Sequence, residues 1–590
     1  MRDARAYLRD GPTWRRRIAV LCFAAICAAA AAVTMAQAGL AAGFGPLDGA
    51  RVALILLTTG WLAWGAGQAF LGLGPLPTLP NPAAGRVPPT AILIPICNEN
   101  PTEVRARIVA MRASVAAAGV PADFVILSDS SGEDTLRKEQ AAFALLDDPD
   151  FASHRVYYRN RTERVGRKAG NVEDFIRSSG GAYEYVVLLD ADSLMEGETI
   201  RHLIARMEAD PGLGLLQTLP KIVGAGSLFG RAMQFAASFH SPVFARGLAR
   251  LQGRAGPYWG HNAIARVRAL AHCCGLPELR GKPPFGGTIL SHDYVEAALL
   301  ARGGWRVEMD PRIPGSYEEG PDNLLAYARR DRRWCQGNLQ HIRLVNAPGL
   351  LGWSRFVFVQ GILSYLVSIA WGAFLIVSLL ATATAPLPDY FPETYQLFPV
   401  FPTDRTFQIV VLAIGIGGLL LLPKLSILLE AAVTGRARPY GGTFRAFASV
   451  LAETLLTALI APVMLIYQTR AVTEVFAGRD GGWPSTARGE GQLSLAAGWR
   501  AGRWIMLVGL GAAGAVLWIA PELSWWMSPV TVPMIAAPLL IAVTSWPVTR
   551  AVFRTPEETA PAPVVLAYRE TLARPPVQKD LPSDPAARSA

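Results

Sequence analysis

The sequence predicts a mostly parallel α/β domain inserted into an α-helical, polytopic membrane domain. Two observations predict it. Of the 590 residues, 51% are hydrophobic and only 17% are charged, and long apolar runs occupy both ends of the chain, which is typical of membrane proteins. Between these ends, over residues 90–350, short apolar segments alternate with amphipathic segments. Strands and helices alternate in this way in a parallel sheet.

The N-terminal region predicts two membrane helices with the start of the chain in the cytoplasm. Residues 1–17 are basic, and apolar runs follow at 18–40 and 52–73. Positive charge stays on the cytoplasmic side of a span, so we expect two transmembrane helices within 18–74. A proline-rich linker, 75–89, then leads into a domain that is also cytosolic.

The C-terminal half predicts two further transmembrane pairs, within 351–430 and 504–548. The first pair is joined by a loop with three acidic residues and one basic residue, which we place outside. In the cytosolic segment 431–503, the apolar run 446–467 is followed by five arginines, so we expect a helix lying in the interface or re-entering the membrane. The tail, 549–590, is rich in Pro, Ala and charge and is expected to be cytosolic and disordered.

Within the inserted domain, the pattern predicts a Rossmann-like sheet. Strands are expected at 91–96, 124–128, 155–158 and 185–189, and helices at 103–118, 135–146 and 171–178. Ligands of such sheets bind beyond the carboxyl ends of the strands. Residues at those ends are therefore expected to converge on one crevice.

The fourth strand ends in two carboxylates one residue apart, Asp190 and Asp192. A pair of this kind suits a hard divalent cation held against a substrate phosphate, but a solvated turn that caps the next helix has the same pattern. At the end of the second strand, Asp129 either accepts hydrogen bonds from a base or ribose or caps the following helix. The first strand ends in Pro95, Asn98 and Glu99.

A basic motif, Arg-Lys-Ala-Gly-Asn, begins at Arg167. Two glycines, Gly166 just before this run and Gly170 within it, free the backbone here. Arg167 and Lys168 at a helix start can meet a diphosphate. A solvated basic loop is the alternative. Further along, Ser-His-Asp ends at Asp293, which is a candidate to take a proton from a sugar hydroxyl or, alternatively, a helix cap.

An arginine-rich motif with one tryptophan lies at 329–336. The guanidinium groups of Arg330 and Arg333 fit a diphosphate leaving group, and Trp334 offers a flat face to a sugar ring. A charged helix ahead of a membrane span has a similar composition.

The net charge of +10 does not indicate a nucleic-acid partner, because the basic residues lie in the inserted domain and beside apolar segments. Membrane orientation and a phosphorylated substrate explain them. The six cysteines form no CxxC pair and are expected to be reduced thiols.

The order of these motifs resembles the processive membrane glycosyltransferases of family 2. Within that family, the Arg-Lys-Ala-Gly-Asn run, Tyr-Trp-Gly-His-Asn at 258–262 and Arg-Arg-Asp-Arg-Arg-Trp-Cys-Gln-Gly-Asn are similar to the synthases of osmoregulated periplasmic glucans. The resemblance covers about residues 90–545. Two positions depart from the family's common pattern: Ser-His-Asp replaces Thr-Glu-Asp, and Arg330 replaces the Gln of QxxRW. They leave open the roles of His292 and Arg330.

The resemblance implies a GT-A domain that transfers glucose from UDP-glucose, with inversion, to a growing linear β-1,2-glucan at the bacterial inner membrane. It implies these site residues: Pro95, Asn98, Glu99, Asp129, Lys168, Asp190, Arg330 and Arg333 for the UDP-sugar; Asp190 and Asp192 for Mg²⁺ or Mn²⁺; Asp293 as general base; and Trp334, Trp259 and His261 for the acceptor. The implied partners are UDP-glucose, the glucan and membrane lipid and, by family analogy, an acyl carrier protein and a periplasmic glucan-processing protein. A gating-like loop is expected near Gly478–Gly491.

Two alternatives remain at this stage. One is a synthase of another polymer such as cellulose, against which no PilZ-like pair of RxxxR and DxSxxG motifs follows the last apolar run. The other is a transporter or scaffold with an inactive domain. The joint presence of Asp190, Asp192, Asp293 and Trp334 argues against it.

Overall fold

A computed structural model describes residues 10–40, 44–74, 78, 85–147, 154–384, 397–398, 406–481, 491–549 and 551–574. The predicted external loop between the first C-terminal pair of helices lies almost entirely outside these ranges. Residues 482–490 of the predicted gating-like loop also lie outside them.

Ten strands form the α/β domain: β1 Thr90–Ile96, β2 Ala122–Ser128, β3 Val156–Asn160, β4 Tyr185–Leu188, β5 Leu194–Met195, β6 Leu213–Gln217, β7 Lys221–Val223, β8 Ala263–Arg266, β9 Arg306–Met309 and β10 Ser316–Glu319. Seven of them make one sheet in the order β3-β2-β1-β4-β8-β6-β9, and β5-β10-β7 make a smaller sheet. The four predicted strands are β1 to β4 and are confirmed.

The helices in chain order are α1 Gly11–Leu40, α2 Pro46–Gly72, α3 Pro101–Ala117, α4 Glu133–Ala144, α5 Arg167–Ser179, α6 Gly197–Ala209, α7 Leu228–Phe239, α8 Ser241–Gln252, α9 Val267–Cys273, α10 His292–Arg302, α11 Leu324–Gln340, α12 Gly352–Ala383, α13 Thr406–Val433, α14 Thr443–Phe476, α15 Leu495–Ile519, α16 Ser524–Ile535, α17 Ala537–Val543, α18 Pro556–Thr559 and α19 Pro563–Ala573.

Strands β3, β2, β1 and β4 are parallel neighbours, so their carboxyl ends share one edge of the sheet. Side chains of β1 alternate between two cores: Ile92 and Ile94 pack in one and Leu93 in the other. Burial of both faces explains the largely apolar sequences of β1, β2 and β4, whereas the edge strand β3 is only partly buried and carries polar residues. Beyond β4, β8 is inserted antiparallel to both β4 and β6.

Six described helices, α1, α2 and α12 to α15, are long and apolar enough to cross a membrane. Helices α16 and α17 meet at a short break with a bend of 58°, so together they form a broken span or a re-entrant loop. If this bent pair counts as one span, the described residues contain seven candidate spans. Helix α15 begins at Leu495 rather than at residue 504, which places Arg500 and Arg503 inside the helix.

Helix α14, which includes the predicted interfacial run, contacts the α/β domain near both of its ends. Near its start, Val450 packs in one cluster with Phe239 of α7. Near its end, Arg332 of α11 donates a hydrogen bond to Glu474, at 3.3 Å. Between these points Gln468 donates to Asp331 of α11, at 3.1 Å. The helix therefore runs along the domain rather than away from it.

The prediction of a disordered tail is wrong for residues 551–574. This segment contains α18 and α19, and Val564, Val565 and Tyr568 are buried in the main core of the α/β domain. Burial of these apolar side chains offsets the entropy of ordering the segment. Residues 575–590 lie outside the described ranges.

Candidate active site

Asp129 lies at the carboxyl end of β2 and is held by two neighbours. Arg161, which follows β3, donates two hydrogen bonds to its carboxylate, at 2.6 and 2.9 Å, and both side chains are about 10% exposed or less. Asn171 of α5 donates a third, at 2.8 Å. The carboxylate is therefore fixed by neighbouring side chains and does not act as a loose helix cap.

The first turn of α5 connects Asp129 with the pair of carboxylates at the end of β4. Lys168 Nζ forms an ion pair with Asp190 and donates to the carbonyl oxygen of Gly260, at 2.7 Å. The two glycines are required for different reasons. A Cβ at Gly170 would lie 2.1 Å from the Val165 carbonyl oxygen, and Gly166 has φ +73°, a left-handed conformation that favours glycine. The motif thus forms the start of a helix rather than a solvated loop.

Asp190 and Asp192 lie in the turn between β4 and β5, as predicted. Burial alone would raise the pKa of Asp190, but Lys168 and His261 outweigh it and hold this pKa well below its usual range. Oδ2 of Asp190 lies 3.9 Å from Nε2 of His261, which is 3.5 Å from Glu318 of β10. His261, assigned from sequence to the acceptor, thus lies beside the carboxylate of Asp190, the first aspartate of the metal motif.

Asp293 lies in the first turn of α10, against Gly260. A Cβ at Gly260 would lie 3.5 Å from Cβ of Asp293, and the oxygen of the same glycine accepts the hydrogen bond from Lys168. The Gly260 peptide therefore lies between Asp293, the expected base, and Lys168, which pairs with Asp190. Burial raises the pKa of Asp293, and Glu296 raises it further against the opposing effect of His292.

The arginine-rich motif forms the middle of α11. The guanidinium carbon of Arg330 stacks 4.6 Å from the ring centroid of Trp334, which is 43% exposed. Arg330 also contributes to lowering the pKa of Asp190, so its charge acts at the carboxylate turn. Gly337 of the same helix lies directly against Ser291, ahead of Asp293, because a Cβ there would be 2.3 Å from Oγ of Ser291.

Three of the remaining predicted residues, Pro95, Asn98 and Glu99, lie at the carboxyl end of β1. Pro95 pairs with Leu127 in the register of β1 and β2. The backbone N–H of Asn98 donates to Ser130, at 2.7 Å, and Glu99 accepts from the backbone N–H of Cys97. Trp259 and Arg333 are partly buried, and the backbone N–H of Trp259 donates to Gln217.

Sequence reasoning missed Arg161, Asn171 and Glu318. Arg161 follows β3 directly, as Asp129 follows β2. The rule that polar residues at strand ends converge would have found it. The position of Glu318 could not be predicted in this way, because β10 belongs to the small sheet and the local sequence does not indicate which strands lie beside it.

The carboxylate turn fits a divalent cation of the type that completes its coordination with phosphate oxygens. Magnesium-like ions bind through one or two carboxylates plus substrate phosphates rather than in closed protein cages. No group of three or more His, Cys, Asp or Glu suited to hold a metal occurs in the described part of the chain. Asp190 and Asp192 are the residues that would hold the ion.

Comparisons with known proteins identify the family of this chain. Residues 91–273 match the family model "Glycosyl transferase family 2", and residues 185–400 match "Glycosyl transferase family group 2". "Glucans biosynthesis glucosyltransferase H" of Cereibacter sphaeroides is 52% identical over 95% of this chain and 97% of that protein. Its namesake from Rhodopseudomonas palustris strain TIE-1 is 40% identical over 96% of this chain and 80% of that protein.

Similarity to solved structures is more distant. The mannosyltransferase PcManGT from Pyrobaculum calidifontis, in complex with GDP-Man and Mn²⁺, is 18% identical, with a TM-score of 0.42 over 69% of this chain and 99% of that chain. S. aureus TarS is 12% identical, with a TM-score of 0.28 over 49% of each chain.

The sheet, the strand-end site and the family match define a family 2 glycosyltransferase with a GT-A domain set in a helical membrane region. The predicted fold class and enzyme class are thereby confirmed. More narrowly, the chain belongs to the glucans biosynthesis glucosyltransferase H family, as the 52% identity over nearly the full length of both proteins shows. It is a glucosyltransferase of glucan biosynthesis.

Proposed function

We propose that this enzyme uses UDP-glucose and a divalent cation, Mg²⁺ or Mn²⁺, to extend a linear β-1,2-glucan that is passed towards the periplasm. One observation carries the proposal. Lys168 contacts Asp190 and the Gly260 peptide that lies against Asp293. The diphosphate motif and the expected base therefore belong to one site, as a single-step transfer requires.

In the proposed reaction, Asp293 takes the proton of an acceptor hydroxyl as its oxygen attacks the anomeric carbon of glucose. The bond from that carbon to the diphosphate oxygen breaks on the opposite side, and UDP leaves with the electron pair, which inverts the configuration. A base with a raised pKa suits this step, because it holds the proton more firmly near neutral pH. The bound cation would supply charge stabilisation for the leaving diphosphate.

The basic side chains have a distinct part in the reaction. Lys168 and Arg330 bring positive charge to the carboxylate turn, where the leaving diphosphate develops negative charge. Lys168 already contacts Asp190, so it is held in place before the substrate binds. We assign Asp129 to the uridine, because Arg161 and Asn171 fix its carboxylate at the end of β2, on the same edge of the sheet as the carboxylate turn.

Trp334 and the α14 helix supply the acceptor side of the proposal. Trp334 is exposed beside Arg330 and offers a flat face to the growing chain. Helix α14 contacts the α/β domain near both ends, which supports our placement of this helix in the membrane interface on the cytosolic side of the inner membrane. The product would then enter the membrane region beside α11.

The function is tested by incubating the purified full-length protein, in lipid nanodiscs, with radiolabelled UDP-glucose, Mn²⁺ or Mg²⁺, and short β-1,2-glucan acceptors. We expect labelled β-1,2-glucan by linkage analysis and none when the divalent cation is chelated. Unlabelled GDP-glucose should compete weakly. A different linkage would overturn the assigned product, and transfer that survives chelation would overturn the role of Asp190 and Asp192.

Orientation is tested separately by cysteine labelling with a membrane-impermeant reagent, after replacement of the six native cysteines by serine. A cysteine at Glu522, between α15 and α16, should be labelled from the periplasm. A cysteine at Arg438, between α13 and α14, should be labelled only after the membrane is permeabilised. Labelling of both from the periplasm would contradict the cytosolic placement of the start of α14.

A further inference from the structure

The segment that follows the last membrane helix is fixed to the α/β domain by ion pairs. Glu557 accepts from Lys221 of β7, at 2.8 Å, and from Ser238 of α7, at 2.9 Å. Glu558 forms a two-contact ion pair with Arg231, which is 2% exposed. The pair between Glu558 and Arg231 is largely excluded from water, so it is stronger than a pair on the surface. Lys221 is 38% exposed, so its pair with buried Glu557 is partly screened by solvent. The two ion pairs direct α19 across the domain.

Helix α19 then packs beside α3. Val564, Val565 and Tyr568 face the core, whereas Arg569 is exposed. The aromatic ring of Tyr568 covers the guanidinium group of Arg107 of α3, with 4.8 Å between the guanidinium carbon and the ring centroid. Arg107 is 2% exposed, so it is a buried cation that requires partners.

The partners of Arg107 lead to the carboxylate turn of the active site. Its Nη2 donates to Glu319 of β10, at 2.6 Å, and Tyr568 donates to the same carboxylate oxygen, at 3.4 Å. Its Nη1 donates to the carbonyl oxygen of Ala191, at 3.2 Å. Ala191 is the residue between the two aspartates of the metal motif. The buried arginine thus connects the C-terminal helix to the backbone of that motif.

A second connection runs through the small sheet. Strand β5 begins two residues after Asp192 and pairs with β10, which also pairs with β7. The tail contacts β10 through Tyr568 and β7 through Glu557. The C-terminal segment therefore supports the turn between Asp190 and Asp192 in two ways: through Arg107 at the Ala191 carbonyl, and through β10 at strand β5, which follows the turn.

We propose that Tyr568 of the C-terminal helix is a positioning residue that acts through Arg107 and Glu319 to fix the turn between Asp190 and Asp192. Without the ring, water reaches Arg107 and competes for its bonds to Glu319 and the Ala191 carbonyl. The two aspartates then lose the fixed backbone from which they bind a cation. The proposal rests on the proposed role of this turn in binding a cation and UDP.

The test compares Tyr568→Ala, Tyr568→Phe and the exposed control Arg569→Ala in the full-length protein. Hydrogen exchange of the peptide 189–195 reports the turn without any ligand, and a titration of UDP binding against Mn²⁺ reports its function. For Tyr568→Ala we expect faster hydrogen exchange of peptide 189–195 and unchanged exchange of β2. We also expect the Mn²⁺ concentration needed for half-maximal UDP binding to rise about three- to thirtyfold, because a desolvated cation–π contact is lost. Tyr568→Phe keeps the ring and should restore most of the wild-type behaviour.

Either of two results for Tyr568→Ala would overturn the proposal. One is wild-type exchange and Mn²⁺ dependence. The other is faster exchange throughout the sheet with unchanged Mn²⁺ dependence, which indicates a structural role only. An effect of Arg569→Ala equal to that of Tyr568→Ala would also overturn it. If the wild-type protein binds no UDP at any Mn²⁺ concentration, the proposed function fails instead, while the exchange of peptide 189–195 still tests the contact itself.

Discussion

Replacing Asp293 by asparagine should abolish most of the sugar transfer while leaving the fold intact. Loss of a general base typically lowers the rate by about 10²–10⁴-fold, which corresponds to roughly 3–5 kcal/mol of transition-state stabilisation. Asparagine keeps the size and hydrogen-bonding shape of the side chain. The favourable interaction of the charge with the first turn of α10, about 0.3–1 kcal/mol, is lost, but burial disfavours the same charge, so stability changes little. Catalysis is thus affected far more than stability.

The assay measures kcat with radiolabelled UDP-glucose and UDP affinity by calorimetry. We expect kcat to fall and UDP affinity to stay unchanged, because the base acts only in the chemical step. Asp134→Asn is a matched control, since Asp134 is likewise the second residue of a helix, α4, but is exposed and paired with Lys138. Turnover by Asp293→Asn equal to that of this control would remove Asp293 from the mechanism.

Three further predictions concern the same site. Because the pKa of Asp293 is raised and the base must be deprotonated, kcat/KM should fall as pH decreases through a value above the ordinary carboxyl range; an acid limb at about pH 4 would contradict this. Gly170→Ala should lower the thermal midpoint by overpacking, at a cost of about 1–3 kcal/mol, while Gly181→Ala, with open space around it, should not; equal midpoints would refute the packing argument. Arg161→Ala should leave Asp129 buried without its cation and destabilise the protein by roughly 3–5 kcal/mol, with Arg161→Lys intermediate in a thermal-shift assay; an unchanged midpoint for Arg161→Ala would show that the pair contributes little.

Apart from the more polar edge strand β3, the parallel strands β1, β2 and β4 could be predicted because they are buried on both faces and have largely continuous apolar sequences. The polar residues at their ends, Asp129 and Asp190, could be predicted for the same reason, since parallel strands share one edge. Strand β8 was missed. It has only four residues, and its antiparallel insertion between β4 and β6 depends on contacts far apart in the sequence.

The tail was predicted wrongly because prolines and charges dominate its composition. The signal for α19 was present nonetheless: Val564, Val565 and Tyr568 fall on one face of a helix, and Pro563 stands at its first position. The contact of Arg107 with the Ala191 carbonyl could not be predicted, because nothing in the local sequence of α3 indicates which strand end lies beside it.

The central claim is that one crevice at the edge of the sheet binds both the uridine and the diphosphate with its cation. It is tested most directly by determining the structure of the full-length protein in nanodiscs with UDP and Mn²⁺. We predict the cation on Asp190 and Asp192, the uridine beside Asp129, and Asp293 facing the open side of the diphosphate. Binding of UDP and Mn²⁺ away from these three groups would contradict the account.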